Sequence, residues 1–425
     1  EKPMAYLSES IITNVGSDYI EQYLNKNGLK RSEEVKGQDL VYWANDLLQN
    51  QRINIEKFED FLFEELFWGK RKSIHIYKLD SPNKNKYKGD WLPVLQEKYN
   101  VDSMKFNAIL ETHINREEPR KIAAIHSEEN YKGELVRVQI LFVSYIQVNG
   151  ENGYLDSSSY IPVEVDFERK IMLIKAWNRQ KVAHDENKVN QMMDHYRKLM
   201  ASQFNISIRN YMSEHKKVLF SMSKKLIYEA YSHIPNYNRI ASLNQCIQNF
   251  VDEIVHKIDL ENVIVDSRGK EIIPDDVMEF DEEIKNVIEG LVISDHFYNK
   301  KFDEIWTMGL EAVVAKVKFN DNEQVLTSLS GENTSVPIFC TKTFINLKKR
   351  MEESERIETL WITMDRKHGN LNLKFDATNP EYLEVLIKYG IRFNQEDMDS
   401  ALEIYKKYES KIITEAKVNN QVAIG

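Results

Sequence analysis

Three side chains in the segment IPVEVDFERKIMLIKAW have the types and spacing for metal chemistry: Glu164, Asp166 and Lys175. Residues two apart on a strand share a face, so Glu164 and Asp166 point the same way, and a hairpin brings Lys175 across from them. Two carboxylates and a lysine can hold a divalent cation and position a water, as metal-dependent nucleases require. The usual nuclease spacing places an acid two residues before the lysine on its own strand, and Leu173 stands there instead. The competing reading is an outer sheet face with solvated charges. Magnesium is implied by the nuclease reading alone, and nothing else in the chain asks for a cofactor or a resident metal.

Other chemical signatures fail on spacing. Gly269 and Lys270 form a Gly-Lys pair, but no glycine lies five residues before Gly269, and Glu271 replaces the Ser/Thr of a phosphate loop. The chain contains no GxGxxG, GxSxG or HExxH. His184 and His195 flank one helix at a spacing that does not place both on one face. Ser294, Asp295 and His296 are sequence neighbours, which suits a helix end better than a triad whose members must converge in space. His368 and Gly369 read as a tight turn. Cys246 and Cys340 sit in apolar segments without a CxxC, so both read as buried free thiols in a reducing compartment.

The elements that would carry these residues alternate in period. Helices fit SDYIEQYLNKN, with Asp18 and Glu21 as a capping box and Gly28 at the helix end, then QDLVYWANDLLQN and INIEKFEDFLFEELFW. SIHIYKL reads as a strand, VDSMKFNAILETHI as a helix, and KIAAIHS, ELVRVQILFVSYIQV, SYIPVEVDF and KIMLIKAW as strands, with NGENGYLDSSS as a loop. Helices return with a stripe of Val189, Met192, Met193, Tyr196 and Leu199, read as core. A second stripe has Ile240, Leu243, Ile247, Phe250, Ile254 and Ile258, followed by a hairpin in NVIVDSRGKEII. Strands are read in LEAVVAKVKF, EQVLTSL, SVPIFCT, LWITMDR and LNLKFDA, with a helix near 343–353 among them. Asn379 and Pro380 start a helix through Lys388, and Asn394 caps a last helix to about Ile413.

A chain of 425 residues exceeds one hydrophobic core, so several domains are expected. The resulting class is α+β: a helical N-terminal module (1–70), an α+β domain (71–180), a helical middle region (181–308), a C-terminal α+β domain (309–415) and a tail (416–425), with antiparallel sheets in both lobes. The 42% apolar content supports packed domains rather than disorder. The net charge of −10 removes the global basic footprint of many nucleic-acid binders but leaves local patches open. No apolar run is long enough to span a bilayer, and EKPMAYLSES lacks a basic stretch ahead of an apolar core, so the sequence is read as cytoplasmic.

The stretch SDYIEQYLNKNGLKRSEEVKGQDLVYWANDLL resembles the SAP-type helix–extension–helix module, with Gly28-Leu29 as its Gly-Leu pair and Leu40-Val41 opening the second helix. The resemblance implies DNA-backbone contacts from Lys26, Lys30, Arg31 and Lys36. The order of an N-terminal helical domain, FEDFLFEELFWGKRKSIHIYKL and KIAAIHSEENYKGELVRVQILF is also similar to the architecture of the centromere protein CENP-N, which implies contact with nucleosomal DNA. The first functional reading is therefore a non-catalytic binding or scaffold protein that touches DNA through its N-terminal helices. Two alternatives stand beside it. One is a metal-dependent nuclease-type defence effector. The other is a protein-binding subunit that docks a partner through Trp43, Phe61, Phe63, Phe67 and Trp68.

Overall fold

The computed structural model describes residues 5–31, 39–69, 72–80, 85–258, 264–265, 271–272, 280–297, 308–320, 326–330, 337–365, 369–387 and 392–422. The fold is α+β. Packing divides the chain into two units: Glu1–Ser213 with Lys374–Ile404, and Glu214–Leu373 with Tyr405–Gly425. The sequence-based cuts at 70 and 180 both fall inside the first unit.

The first unit opens with helices α1 (Glu9–Val15), α2 (Ser17–Lys26), α3 (Leu40–Gln49) and α4 (Ile55–Phe67). Ser8, Asp39 and Asn54 each accept a hydrogen bond from a first-turn backbone N–H, satisfying donors that a helix start leaves open. The expected capping box at α2 does not form. Gly16 is its N-cap and provides no side-chain bond, because α1 runs almost directly into α2. Gly28 does end α2, at φ +79°, a conformation that glycine adopts at little cost.

The antiparallel sheet of this unit contains β1 (Lys72–Leu79), β2 (Phe106–Asn107), β3 (Arg120–Glu129), β4 (Leu135–Gly150), β5 (Gly153–Asp166), β6 (Ile171–Trp177) and β7 (Ile208–Arg209). The later strand Leu383–Ile387 pairs with one edge of β1. Then β6, β5, β4, β3 and β2 follow in order on the other side, and β7 pairs with the end of β1. One sheet face holds Ile140, Phe142, Val163, Val165, Met172 and Ile174 in a core completed by Trp91 and Leu95 of helix α5 (Lys88–Tyr99) and by Met193, Tyr196 and Met200 of helix α6 (Val189–Gln203). The Met-rich stripe is therefore core. Helix α4 covers the opposite face, where its Phe63 ring meets His126 of β3 at 3.9 Å between centroids. Coverage on both faces is why β1 is buried along its whole length.

Four local readings are corrected here. Residues 101–114 are not helical. Val101, Met104, Ile109 and Leu110 are buried at helix-like spacing, but Phe106 and Asn107 give their backbone to β3. The segment 149–159 is not a loop. It is the far end of the β4–β5 hairpin, which turns only at Glu151-Asn152, and its serines are ladder residues. The expected helix from Asn379 is instead a strand over Leu383–Ile387, because Leu383, Val385 and Ile387 alternate inward, while Asn379 caps a turn by accepting from Glu381 N–H at 2.9 Å; Lys388 lies outside the described residues. The expected strand at SVPIFCT is a turn over its described residues: Ile338 N–H donates to Val314 and Thr341 N–H to Ile338, and Pro337 has no N–H to give.

The second unit contains helices α7 (Glu214–Ser232), α8 (Asn244–Ile258), α9 (Phe280–Phe297) and α10 (Lys342–Ser354). Its strand pair β8 (Ile264–Val265) and β9 (Glu271–Ile272) bears out the expected hairpin, while Gly269 and Lys270 lie outside the described residues. Strands β10 (Val313–Asn320), β11 (Leu326–Ser330) and β12 (Thr359–Met364) follow, in the order β11–β10–β12, and β13 (Leu371–Asp376) begins in this unit, whose first segment ends at Leu373. Val218, Leu219, Met222 and Tyr231 of α7 are buried, with Tyr231 donating to the Phe339 carbonyl at 2.9 Å. The α8 stripe is only partly core: Ile247 is buried, whereas Phe250 and Ile258 are exposed. Cys246 is exposed rather than buried, and Cys340 is half-buried; both are free thiols. Ser294, Asp295 and His296 lie at the end of α9, as expected. The last helix spans Gln395–Val422, longer than read.

Candidate functional site

The acidic constellation does not line an open site. Strand register puts Glu164 opposite Leu173 and Asp166 opposite Ile171, so both carboxylates share a sheet face with Lys175, as expected. That face is covered rather than solvated: Glu164 is 2%, Asp166 5% and Lys175 0% exposed. Lys175 Nζ lies 3.2 Å from the ring centroid of Trp68 and 4.0 Å from that of Phe67, at the end of α4. It makes no hydrogen bond. Burial pushes the Lys175 amine well below its ordinary range, against the opposing pull of Glu164. Glu164 accepts from Gln139 Nε2 at 2.7 Å, and Asp166 accepts from Arg169 N–H at 2.7 Å in the β5–β6 turn. Lys175 thus joins the sheet to its helical cover, while the two carboxylates are held within the sheet and its turn. Among the described residues, no three His, Cys, Asp or Glu side chains are grouped to hold a metal ion.

The aromatic side chains proposed to dock a partner are mostly interior. Trp43, Phe63, Phe67 and Trp68 are buried, and Phe61 stacks on Tyr23 at 4.2 Å. Lys26 and Lys30 are exposed and carry no ion pair among the described residues. Arg31 is drawn inward, 3.7 Å from Glu21 and with its guanidinium 5.2 Å from the Trp43 ring centroid. Lys36 lies outside the described residues.

A cleft of about 370 Å³ in the first unit gathers two guanidinium groups and two imidazoles from separate segments. Arg116, Arg120, His184 and His195 line it together with Ser144, Tyr145, Gln147, Glu186 and Tyr196. The strand register sets Arg120 opposite Ser144. The segment after β6 folds back along β4, where Ala183 N–H donates to the Gln147 carbonyl at 2.9 Å, and this carries His184 to the rim. Helix α6 then brings up His195 and Tyr196. The two histidines, eleven positions apart, therefore meet through a chain reversal and not through a shared helix face.

Hydrogen bonds fix both walls. Arg116 Nε donates to Tyr145 Oη at 2.9 Å, and Tyr145 donates to Asp156 at 2.5 Å. Gln147 Nε2 also donates to Asp156, at 3.0 Å, while its Oε1 accepts from His184 Nε2 at 3.0 Å. These bonds hold the Asp156 carboxyl below its ordinary range. On the other wall Ser144 Oγ and Tyr196 Oη are 2.6 Å apart. Burial, reinforced by the Arg120 charge, lowers the His195 imidazole, whose Nε2 is shielded from water and has no hydrogen-bond partner. Burial raises the Tyr196 phenol to about 12, so it remains a proton donor at neutral pH. Tyr154, exposed, stands beside His184 with ring centroids 5.6 Å apart. Chemically this is an anion cradle with hydroxyl donors and an aromatic rim.

No known protein family, curated protein or solved structure matches the chain. No helix among the described residues is long and apolar enough to cross a membrane.

Proposed function

We propose that this chain is a binding protein whose first unit takes a phosphate-bearing ligand, a nucleotide, in the Arg116–Arg120–His184–His195 cleft. The observation that carries the reading is the convergence of four nitrogen-bearing side chains from three separate segments on one cleft of small-ligand size. Two guanidinium groups offer forked donors matched to phosphate oxygens. The unsatisfied His195 Nε2 gains a partner when an anion enters. Tyr154 offers a face on which a base stacks. Arg116 is 3.7 Å from Asp156, so ligand phosphate competes with that carboxylate, and affinity is set by the balance.

A second reading rests on the exposed, unpaired Lys26 and Lys30, which leave a DNA backbone contact at the N-terminal helices open. Calorimetric titration of adenosine monophosphate and of a short single-stranded oligonucleotide into the wild type, R116Q/R120Q and K26Q/K30Q separates the two. The cleft reading expects mononucleotide affinity to fall at least about tenfold in R116Q/R120Q and to hold in K26Q/K30Q. Unchanged affinity in R116Q/R120Q refutes it. Oligonucleotide binding lost only in K26Q/K30Q moves the function to the N-terminal helices.

A further inference from the structure

A second cleft, of about 650 Å³, opens in the first unit where the start of α4 faces β2 and β3. Its lining includes Glu56, Glu59 and Asp60 from α4, Lys105 and Asn107 around β2, and His126 from β3. Three carboxyl groups thus face one lysine, and His126 adds no compensating charge, because burial keeps its imidazole below the ordinary range. Glu111, just beyond β2, adds a further negative field.

Two polar groups at this cleft are left incomplete. Glu59 is only 8% exposed, and it accepts through Oε1 from Leu110 N–H at 3.1 Å. No other described residue donates to this carboxyl. Asn107 has both amide atoms shielded from water and neither hydrogen-bonded. A shielded donor and acceptor without partners are costly, and a ligand supplying both kinds of partner removes that cost. Glu56, Glu59 and Asp60 at i, i+3 and i+4 share one face of α4, while Phe58 and Leu62 lie on the other side of the helix, in the interior.

We propose that this cleft binds an organic cation, an ammonium or guanidinium group with an adjoining polar atom, held by Glu59, Asp60 and the Asn107 amide. Glu59 is the proton-exchanging member of the set. Its carboxyl is raised to about 7, chiefly by burial and further by Glu111 and Asp60, so near neutral pH it holds its proton about half of the time. A cation seated beside it reverses that preference, and the proton leaves to solvent as the ion pair forms. The other titratable groups lining the cleft are Glu56, Asp60, Lys105 and His126.

The test is calorimetry at pH 7 with agmatine and putrescine as probes, in two buffers of different ionisation enthalpy, with 1,4-butanediol as the uncharged control. The expected result is saturable binding of the cations but not of the diol, with release of about half a proton per cation bound. In E59Q, proton release disappears. In D60N, which alters an exposed residue and leaves the core intact, affinity falls about tenfold. Absence of binding by either cation at millimolar concentration overturns the proposal, as does proton release that persists in E59Q. Because the nucleotide cleft shares no residue with this one, the R116Q/R120Q variant binds agmatine normally whichever way the nucleotide titration falls.

Discussion

Glu59→Gln makes the protein more stable at alkaline pH and leaves it nearly unchanged in acid. Folding raises the Glu59 carboxyl from 4.5 to about 7, chiefly by burial. The folded state therefore binds more protons than the unfolded state across that interval, and stability falls as pH rises through it. At about 1.4 kcal/mol per pH unit the full shift corresponds to roughly 3 kcal/mol. The carboxyl borders an open cleft, where water and salt screen part of that energy, so about 2 kcal/mol is the reasonable size. Glutamine keeps the carbonyl oxygen that accepts from Leu110 N–H and cannot ionise. In denaturant titrations followed by tryptophan fluorescence, the first unit reports through Trp43, Trp68, Trp91 and Trp177. The variant should exceed the wild type by about 2 kcal/mol near pH 8.5 and by a few tenths near pH 4.5. A difference that is the same at both pH values refutes the reasoning, because a packing effect does not titrate.

Two further substitutions probe the N-terminal helices. Gly69 ends α4 at φ +52°, and a Cβ there would lie 2.1 Å from the Glu65 carbonyl oxygen; G69A should lower stability by about 2 kcal/mol or more, measured as a fall in the unfolding midpoint. Asn45 is buried on α3 and clamps Leu7 twice, accepting from its N–H at 2.8 Å and donating to its carbonyl at 2.9 Å. N45A strands both backbone groups and should cost about 2–3 kcal/mol in the same assay.

Regular periods made most elements legible. The apolar repeats of α4 and α6 and the β-branched runs of β3, β4 and β6 stand in the sequence as they fold. Context overrode local pattern elsewhere. Helix α5 went unseen because Gly89 and Pro93 interrupt its helix-forming residues, yet Trp91 and Leu95 bury fully. The strand Leu383–Ile387 uses good helix formers such as Glu384 and Leu386, and only its pairing with β1 decides the matter. The Glu164–Asp166–Lys175 grouping was read on the right face but with the wrong surroundings, since nothing in their own strands announces that Phe67 and Trp68 close over them. The nucleotide cleft was invisible for a related reason. Arg116, Arg120, His184 and His195 show no spacing rule, and they converge through the register of β3 on β4 and the reversal after β6.

The central claim is that the four side chains act as one anion cradle, and histidine-ring NMR reads this residue by residue. The chain has ten histidines. Titration with adenosine monophosphate should move the His184 and His195 ring signals together, saturably, with the other eight unmoved. Still signals at both positions, or equal drift of all ten, would contradict the account.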